Sequence, residues 1–180
     1  MERKQITKIT LTALFAALIA AGAFIKIPLV PVPVTLTTLF TLVTAVCLPP
    51  SLALSSVVVY LFIGGAGLPV FTSGGGIAAM LGPTGGYLFG MLPAVFAGSL
   101  VMKALEKKKR LAVLLSALVN TFITYLVGIP WLAVRMDISI TAALASGFLP
   151  FIVGDTLKII VTVIACLPIR VRVKELLERQ

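Results

Sequence analysis

Long apolar stretches, separated by short polar breaks or by breaks rich in proline and glycine, dominate the chain. Several stretches approach the roughly 20 residues that an α-helix needs to cross a hydrocarbon core. We predict six transmembrane helices, of which the second and third are shorter than a full span. They cover residues 6–25, 36–48, 51–64, 87–105, 111–134 and 150–167.

The apolar stretch over residues 139–167 is too long for one untilted span. A break at Gly147 divides it into a short interfacial helix, residues 139–146, and the sixth transmembrane helix. We expect that helix to open with Pro150 in its first turn, where a missing amide costs nothing.

Composition identifies the chain as a polytopic membrane protein. Hydrophobic residues make up 59%, charged residues only 12%, and mean hydropathy is +1.15, whereas about a quarter of residues are charged in soluble domains. No polar stretch is long enough for a second domain, so we expect residues 1–180 to form a single membrane-embedded domain. We expect the first helix to be retained rather than cleaved as a signal peptide, because further spans follow it.

The net charge of +9 is concentrated in three basic clusters, at residues 3–8, 103–110 and 170–179. Basic residues next to spans mark the cytoplasmic side of a membrane. Both termini are therefore expected in the cytoplasm, with an even number of spans between them. This placement at span ends argues against a nucleic-acid partner.

One carboxylate and one ammonium lie inside the last apolar run, at Asp155 and Lys158. A charged side chain at that depth costs at least about 2.5 kcal/mol, so it usually faces the protein interior and has a partner. Residues at i and i+3 share one face of a helix. The pair is either an ion pair that only neutralises itself or a donor and an acceptor in a binding pocket.

Catalysis and metal binding have little support in the sequence. Histidine is absent, and Asp155 is the only carboxylate inside a span, so we expect no enzyme, no metal site and no cofactor. The turn at residues 82–87 lacks the lysine and hydroxyl of a phosphate-binding loop. Its free amides at a helix start can bind a carboxylate, or its glycines only allow helices to pack closely.

Small residues line one face of the first helix, at Ala13, Ala17 and Ala21. Such a face lets another helix approach closely in lipid. It serves either packing inside the bundle or docking of another membrane subunit, and both interpretations stay open at this point.

Four separated motifs resemble the BioY family, the biotin-binding S-components of energy-coupling factor (ECF) transporters. They are I-P followed by P-V-P-V-T-L-T-T-L within residues 27–39, G-L-P-V-F at 67–71, G-P-T-G-G-Y-L-F-G at 82–90, and L-P with G-D-x-L-K within 149–158. The resemblance implies a six-helix S-component in the plasma membrane of a prokaryote. It also implies a transmembrane coupling (T) component and two ATP-binding-cassette ATPases as partners, with the alanine face as the docking surface.

The resemblance assigns biotin as the ligand and gives roles to the polar residues. Asp155 would accept hydrogen bonds from the ureido N–H groups, and Lys158 would donate to the ureido oxygen. Loops at residues 26–34 and 67–83 would close over the pocket, and Tyr87 would wall its apolar rings. Candidate donors to the tail carboxylate are Gly75, Gly76, Thr84, Gly85, Gly86 and Asn120.

Two other functions are compatible with the same residues. The first is a secondary transporter of biotin or a related small carboxylate that works alone, with the Asp155 and Lys158 pair titrating during its cycle. The second is a structural subunit of a membrane assembly that binds no ligand.

Overall fold

A computed structural model describes residues 2–178, and almost all of its regular structure is helical. The α-helices and the single two-stranded ribbon follow one another as α1 Glu2–Phe24, β1 Lys26–Ile27, β2 Val34–Thr35, α2 Thr37–Cys47, α3 Pro50–Gly65, α4 Ile77–Met80, α5 Gly85–Ala104, α6 Lys109–Met136, α7 Ile140–Gly147 and α8 Ile152–Glu178. A 3-10 turn, Leu149–Phe151, joins α7 to α8.

Four helical segments are long and apolar enough to cross a membrane: Arg3–Phe24, Gly85–Ala104, Lys109–Met136 and Ile140–Glu178, the last comprising α7 and α8. The helices α2 and α3 are apolar but shorter, as their sequence predicts. Residues 2–178 thus contain eight α-helices, one more than the six spans and one short helix that the sequence predicts. The helix α7 corresponds to the predicted short helix, whereas α4 was not predicted.

The prediction that the last helix ends near residue 167 was wrong, because α8 runs through Pro168 to Glu178. Proline removes one helical hydrogen bond but does not prevent a helix from continuing when the following turns are stabilised. Ion pairs at helical spacing follow Pro168, from Arg172 to Glu175 and from Lys174 to Glu178. Val173, which lies between these residues in the sequence, is buried in the hydrophobic core. The segment from Arg170 to Glu178 is therefore helical and packs against the bundle through Val173.

The connection between α6 and α8 reverses the chain in a short distance. Asp137 adopts the left-handed conformation with a φ of 52°. The hydroxyl of Ser139 accepts a hydrogen bond from the amide of Ala142, which caps the start of α7. Pro150 then lies in the 3-10 turn rather than in the first turn of α8.

The helices α5 and α6 pack closely along their length because small residues of α5 face α6. A Cβ at Gly90 would lie 3.1 Å from the carbonyl oxygen of Thr124, and one at Gly86 would collide with Trp131. In lipid, such close backbone approach is a main source of helix association. The glycines of α5 therefore set the distance between the two helices that carry much of the site.

Two loops cover the end of the bundle where α2, α5 and α8 begin. The ribbon pairs Lys26 with Thr35 and Ile27 with Val34, and it encloses the proline-rich residues 28–33. The Nζ atom of Lys26 donates to the carbonyl oxygen of Thr72, in the glycine-rich connection between α3 and α5. One side chain thereby joins the two loops.

Candidate functional site

A cavity lies beneath the two loops, among the starts of α2, α5 and α8 and the middle of α6. Five of the predicted binding residues lie in its wall. They are Thr84 just before α5, Tyr87 of α5, Asn120 of α6, and Asp155 and Lys158 of α8. The loops contribute Val32, Pro33 and Thr72. Five residues from three separate stretches of the sequence are thus brought to one cavity.

Asp155 and Lys158 form a buried ion pair in the cavity wall. The Nζ atom of Lys158 lies 2.9 Å from Oδ1 of Asp155, and the two residues are 5% and 8% exposed respectively. Lys158 also donates to the hydroxyl of Thr38, at 2.8 Å. The pair is therefore both an intrahelical ion pair and part of a cavity wall, so the two interpretations of the sequence are compatible.

The second carboxylate oxygen of Asp155 accepts a hydrogen bond from the hydroxyl of Tyr125. Hydrogen bonds to an ionised acceptor are roughly twice as strong as bonds between neutral groups. Asp155 is consequently held by two groups, Lys158 within the same helix, α8, and Tyr125 from the neighbouring helix, α6.

An aromatic wall continues from Tyr125 to both sides. The ring centroids of Tyr125 and Phe148 are 4.9 Å apart, and those of Tyr125 and Tyr87 are 6.0 Å apart, both with edge-to-face geometry. The hydroxyl of Tyr87 donates to the carbonyl oxygen of Gly147, at 2.9 Å. The phenol groups are thereby satisfied, and Tyr87 and Tyr125 contribute to the cavity wall.

Two buried polar atoms of cavity-lining residues have no hydrogen-bond partner within residues 2–178. They are the side-chain amide nitrogen of Asn120 and the hydroxyl oxygen of Thr37. Buried polar atoms are nearly always paired, with protein groups, ordered water or a ligand. Asn120 is 2% exposed, so its amide group is a donor that a polar ligand in the cavity can use.

The four predicted glycines do not line the cavity. A Cβ at Gly85 would collide with the carbonyl oxygen of Met80, and one at Gly75 with that of Leu68. The amide of Gly85 donates to Gly82, and that of Gly76 donates to the carbonyl oxygen of Gly64, at 2.7 Å. Gly75, Gly85 and Gly86 thus allow close packing around the cavity, whereas Gly76 adopts a positive φ of 88° with open space around it.

Tyr125, Thr37 and Thr38 are among the cavity residues that the sequence analysis did not name as site candidates. A signal for the α6 group was present, because Asn120 and Thr124, and likewise Thr121 and Tyr125, are four positions apart in an apolar helix. Such spacing places polar side chains on one face. The threonines belong to the T-L-T-T segment at residues 35–38, where a run of hydroxyl groups enters an otherwise apolar helix.

The alanine face of α1 points away from the rest of the chain. Ala13, Ala17 and Ala21 are exposed, whereas Leu11, Phe15 and Ile19 are buried against the bundle.

Residues 2–178 contain no group of three His, Cys, Asp or Glu residues that could hold a metal ion.

Comparisons with known proteins agree with one another. A family model described as the BioY family matches residues 1–175. The chain is 37% identical over 158 residues to a probable biotin transporter BioY of Pyrococcus horikoshii, covering 87% of this chain and 92% of the relative. It is 37% identical over 159 residues to the biotin transporter BioY of Thermotoga maritima, with the same coverage.

Among solved structures, the chain resembles a crystal structure of the S-component for biotin from an ECF-type ABC transporter. The TM-score is 0.84 at 30% identity, and the match covers 96% of this chain and 94% of the other. A match over nearly the whole length in sequence and in structure leads to one conclusion: the chain belongs to the BioY family.

Proposed function

We propose that this protein is the biotin-binding S-component of an ECF transporter, which captures biotin from outside for ATP-driven uptake by partner subunits. The observation that carries the proposal is the buried Asp155 and Lys158 pair in the wall of a cavity closed by two loops. The similarity to a solved S-component for biotin supports it.

The cavity wall matches the chemistry of biotin. The ureido ring offers two N–H donors and one carbonyl acceptor, and a carboxylate accepts several hydrogen bonds while an ammonium has three donors. Asp155 accepts from the ureido N–H groups and Lys158 donates to the ureido oxygen. The rings of Tyr87 and Tyr125 pack against the thioether ring.

The tail carboxylate needs a separate donor. The amide nitrogen of Asn120, which has no partner among residues 2–178, is our candidate, with the hydroxyl of Thr84 as a second donor in the wall. Gly75, Gly85 and Gly86 let neighbouring groups pack closely around the site, and Gly76 supplies a turn with a positive φ.

The proposed topology has six crossing helices, α1, α2, α3, α5, α6 and α8, in one domain over residues 1–180. The helix α7 lies in the interface and α4 in the outer connection. The basic clusters before α1, between α5 and α6 and at the end of α8 favour cytoplasmic termini. The host membrane is then the plasma membrane of a prokaryote.

Energy for transport comes from partners in this proposal, because the protein itself is not an enzyme. The partners are a transmembrane coupling component and two ATP-binding-cassette ATPases. The exposed face formed by Ala13, Ala17 and Ala21 supports docking of the coupling component, since it leaves small side chains available to another helix.

Titration of the purified protein with biotin tests the proposal. We expect saturable binding and a raised thermal unfolding midpoint with biotin. A straight-chain fatty acid, which has the carboxylate but not the ureido ring, should produce neither. Lys158→Ala should weaken binding, whereas the control Lys103→Ala, at an exposed position, should not. Equal affinity in both variants would remove Lys158 from the site.

Reconstitution into vesicles without the ATPases separates this function from a secondary transporter. The S-component is expected to bind biotin without accumulating it. Accumulation driven by a proton gradient would support the stand-alone transporter instead.

A further inference from the structure

A groove lies at the end of the bundle away from the candidate site, between α8 and the connection from α5 to α6. At 1.5 Å per residue, Arg170 lies roughly 22 Å along α8 from Asp155. The groove is lined by Leu167, Pro168, Arg170, Val171 and Lys174 of α8, together with side chains from the end of α5 and the start of α6. The proposed biotin site does not use any of these residues.

One side of the groove is apolar and faces outward from the bundle. Pro168 is exposed, Val171 is 45% exposed, and Leu167 is partly buried. These residues continue the apolar surface of α8 toward its charged end. An aliphatic chain lying along α8 would therefore contact the apolar side of the groove.

The other side of the groove is basic. The Nζ atom of Lys174 lies 2.7 Å from Oε1 of Glu106, and Nη2 of Arg170 lies 3.8 Å from the same oxygen. Lys109, the first residue of α6, completes the basic side. Three cations surround one carboxylate, so the lining carries an excess of positive charge.

The position of Arg170 is fixed by a second contact. Its Nη1 atom donates to the carbonyl oxygen of Val46 near the end of α2, at 2.6 Å. The guanidinium side chain is only 17% exposed. The groove thus has a fixed cation between α8 and α2 and two more exposed lysines beside it.

We propose that this groove binds the headgroup of an anionic phospholipid. The lipid phosphate contacts Lys109 and Lys174 beside Arg170, and an acyl chain lies along Leu167 and Val171. Basic pockets between transmembrane helices are suited to acidic headgroups. Adjacent apolar residues select a lipid over a free anion.

The groove is also separate from the proposed docking face for the coupling component. None of the residues that line it, within the described part of the chain, belongs to α1, α2 or α3. A lipid bound there would not compete with docking at the face formed by Ala13, Ala17 and Ala21.

Native mass spectrometry of the detergent-solubilised protein tests the proposal. The probes are phosphatidylglycerol, phosphatidylcholine with the same acyl chains, and inorganic phosphate. We expect phosphatidylglycerol to be retained and the other two to be lost. The double variant Lys109→Gln/Lys174→Gln should lower phosphatidylglycerol retention by roughly ten-fold, because each basic residue near an anionic headgroup contributes to binding.

The matched control is Lys107→Gln/Lys108→Gln, which removes the same amount of charge from two positions between α5 and α6 that lie outside the groove. It should change retention by less than about two-fold if the site is local. Equal losses in the two double variants would overturn the proposal in favour of general surface charge. Equal retention of phosphatidylcholine would also overturn it, as would displacement of the lipid by millimolar phosphate. Thermal unfolding of each variant verifies that it is folded.

Discussion

Tyr125 and Asp155 join α6 to α8 through a hydrogen bond from the phenol hydroxyl to Oδ2 of the carboxylate. The other oxygen of Asp155 is bonded to Lys158. The carboxylate therefore depends on a group from another helix, and the charge pair of α8 is part of the tertiary structure rather than of one helix alone.

Removing the hydroxyl of Tyr125 should lower the stability of the ligand-free protein. A hydrogen bond to a charged group contributes about 1.5–3 kcal/mol, against about 1 kcal/mol for a neutral one. Tyr60→Phe is the matched control, because the hydroxyl of Tyr60 donates to the neutral carbonyl of Val70. Thermal unfolding in detergent should show a larger drop for Tyr125→Phe. A larger drop for Tyr60→Phe would contradict a charge-assisted bond.

Removing one member of the ion pair should cost more stability than removing both. A single buried charge left without its partner costs about 3–5 kcal/mol, whereas loss of the whole pair costs less. We therefore expect Asp155→Ala/Lys158→Ala to unfold at a higher temperature than either single variant, yet to bind no biotin. The exposed neighbour Thr156→Ala serves as the control. Biotin binding by the double variant at wild-type affinity would reduce the pair to a structural role.

Replacing Asn120 should affect recognition of the biotin tail specifically. If its amide donates to the carboxylate, Asn120→Ala should weaken biotin by roughly ten-fold but leave biotin carboxamide almost unchanged, because bonds to charged groups contribute most. The control Ser116→Ala, one turn earlier, also removes a buried polar atom without a partner among residues 2–178, but one outside the cavity wall. Parallel losses for both ligands would exclude a carboxylate contact.

Enlarging the alanine face of α1 should interfere with assembly and leave ligand binding intact. Ala17→Leu places a bulky side chain where a partner helix would approach closely. Co-purification of the coupling component should fall, while biotin titrations stay unchanged. Ala165→Leu, at an exposed position on α8, makes the same change elsewhere and should assemble normally. Normal assembly of Ala17→Leu would place the docking surface elsewhere.

The contact between Glu106 and Lys174 should depend on pH. The hydrogen bond from Lys174 holds the pKa of Glu106 below its ordinary value, so the contact stabilises the fold above that ordinary value and loses its effect as pH falls through the lowered one. The difference in unfolding midpoint between wild type and Glu106→Gln should therefore shrink on acidification. In a Lys174→Gln background the pH dependence should largely disappear, and its persistence would assign it to another group.

The spacing of Asp155 and Lys158 was enough to predict that both side chains face one cavity. The contributions of Tyr125 and Thr38 were not predictable in the same way, because each reaches the pair from another helix and the distances depend on how the helices pack. Asn120 could be chosen as a candidate because a lone amide in an apolar run is conspicuous.

The position of the four predicted glycines outside the cavity lining was unpredictable for a related reason. An amide at a turn looks available in sequence, but those of Gly76 and Gly85 bind neighbouring carbonyls. The four-residue helix α4 and the two-residue strands are too short to produce a periodic pattern. The strands form by pairing within the connection from α1 to α2, and α4 is a single turn of the connection from α3 to α5.

The hydrogen bond from Lys26 to the carbonyl oxygen of Thr72 links the two loops over the cavity, so a loop that leaves the cavity must either break this bond or carry the other loop with it. If this contact is the same in the ligand-free and the ligand-bound protein, it does not change the dissociation constant of the ligand. It then changes only the rates at which the ligand enters and leaves the cavity. A substitution of Lys26 can then change the residence time of a bound ligand without altering the cavity wall around Asp155.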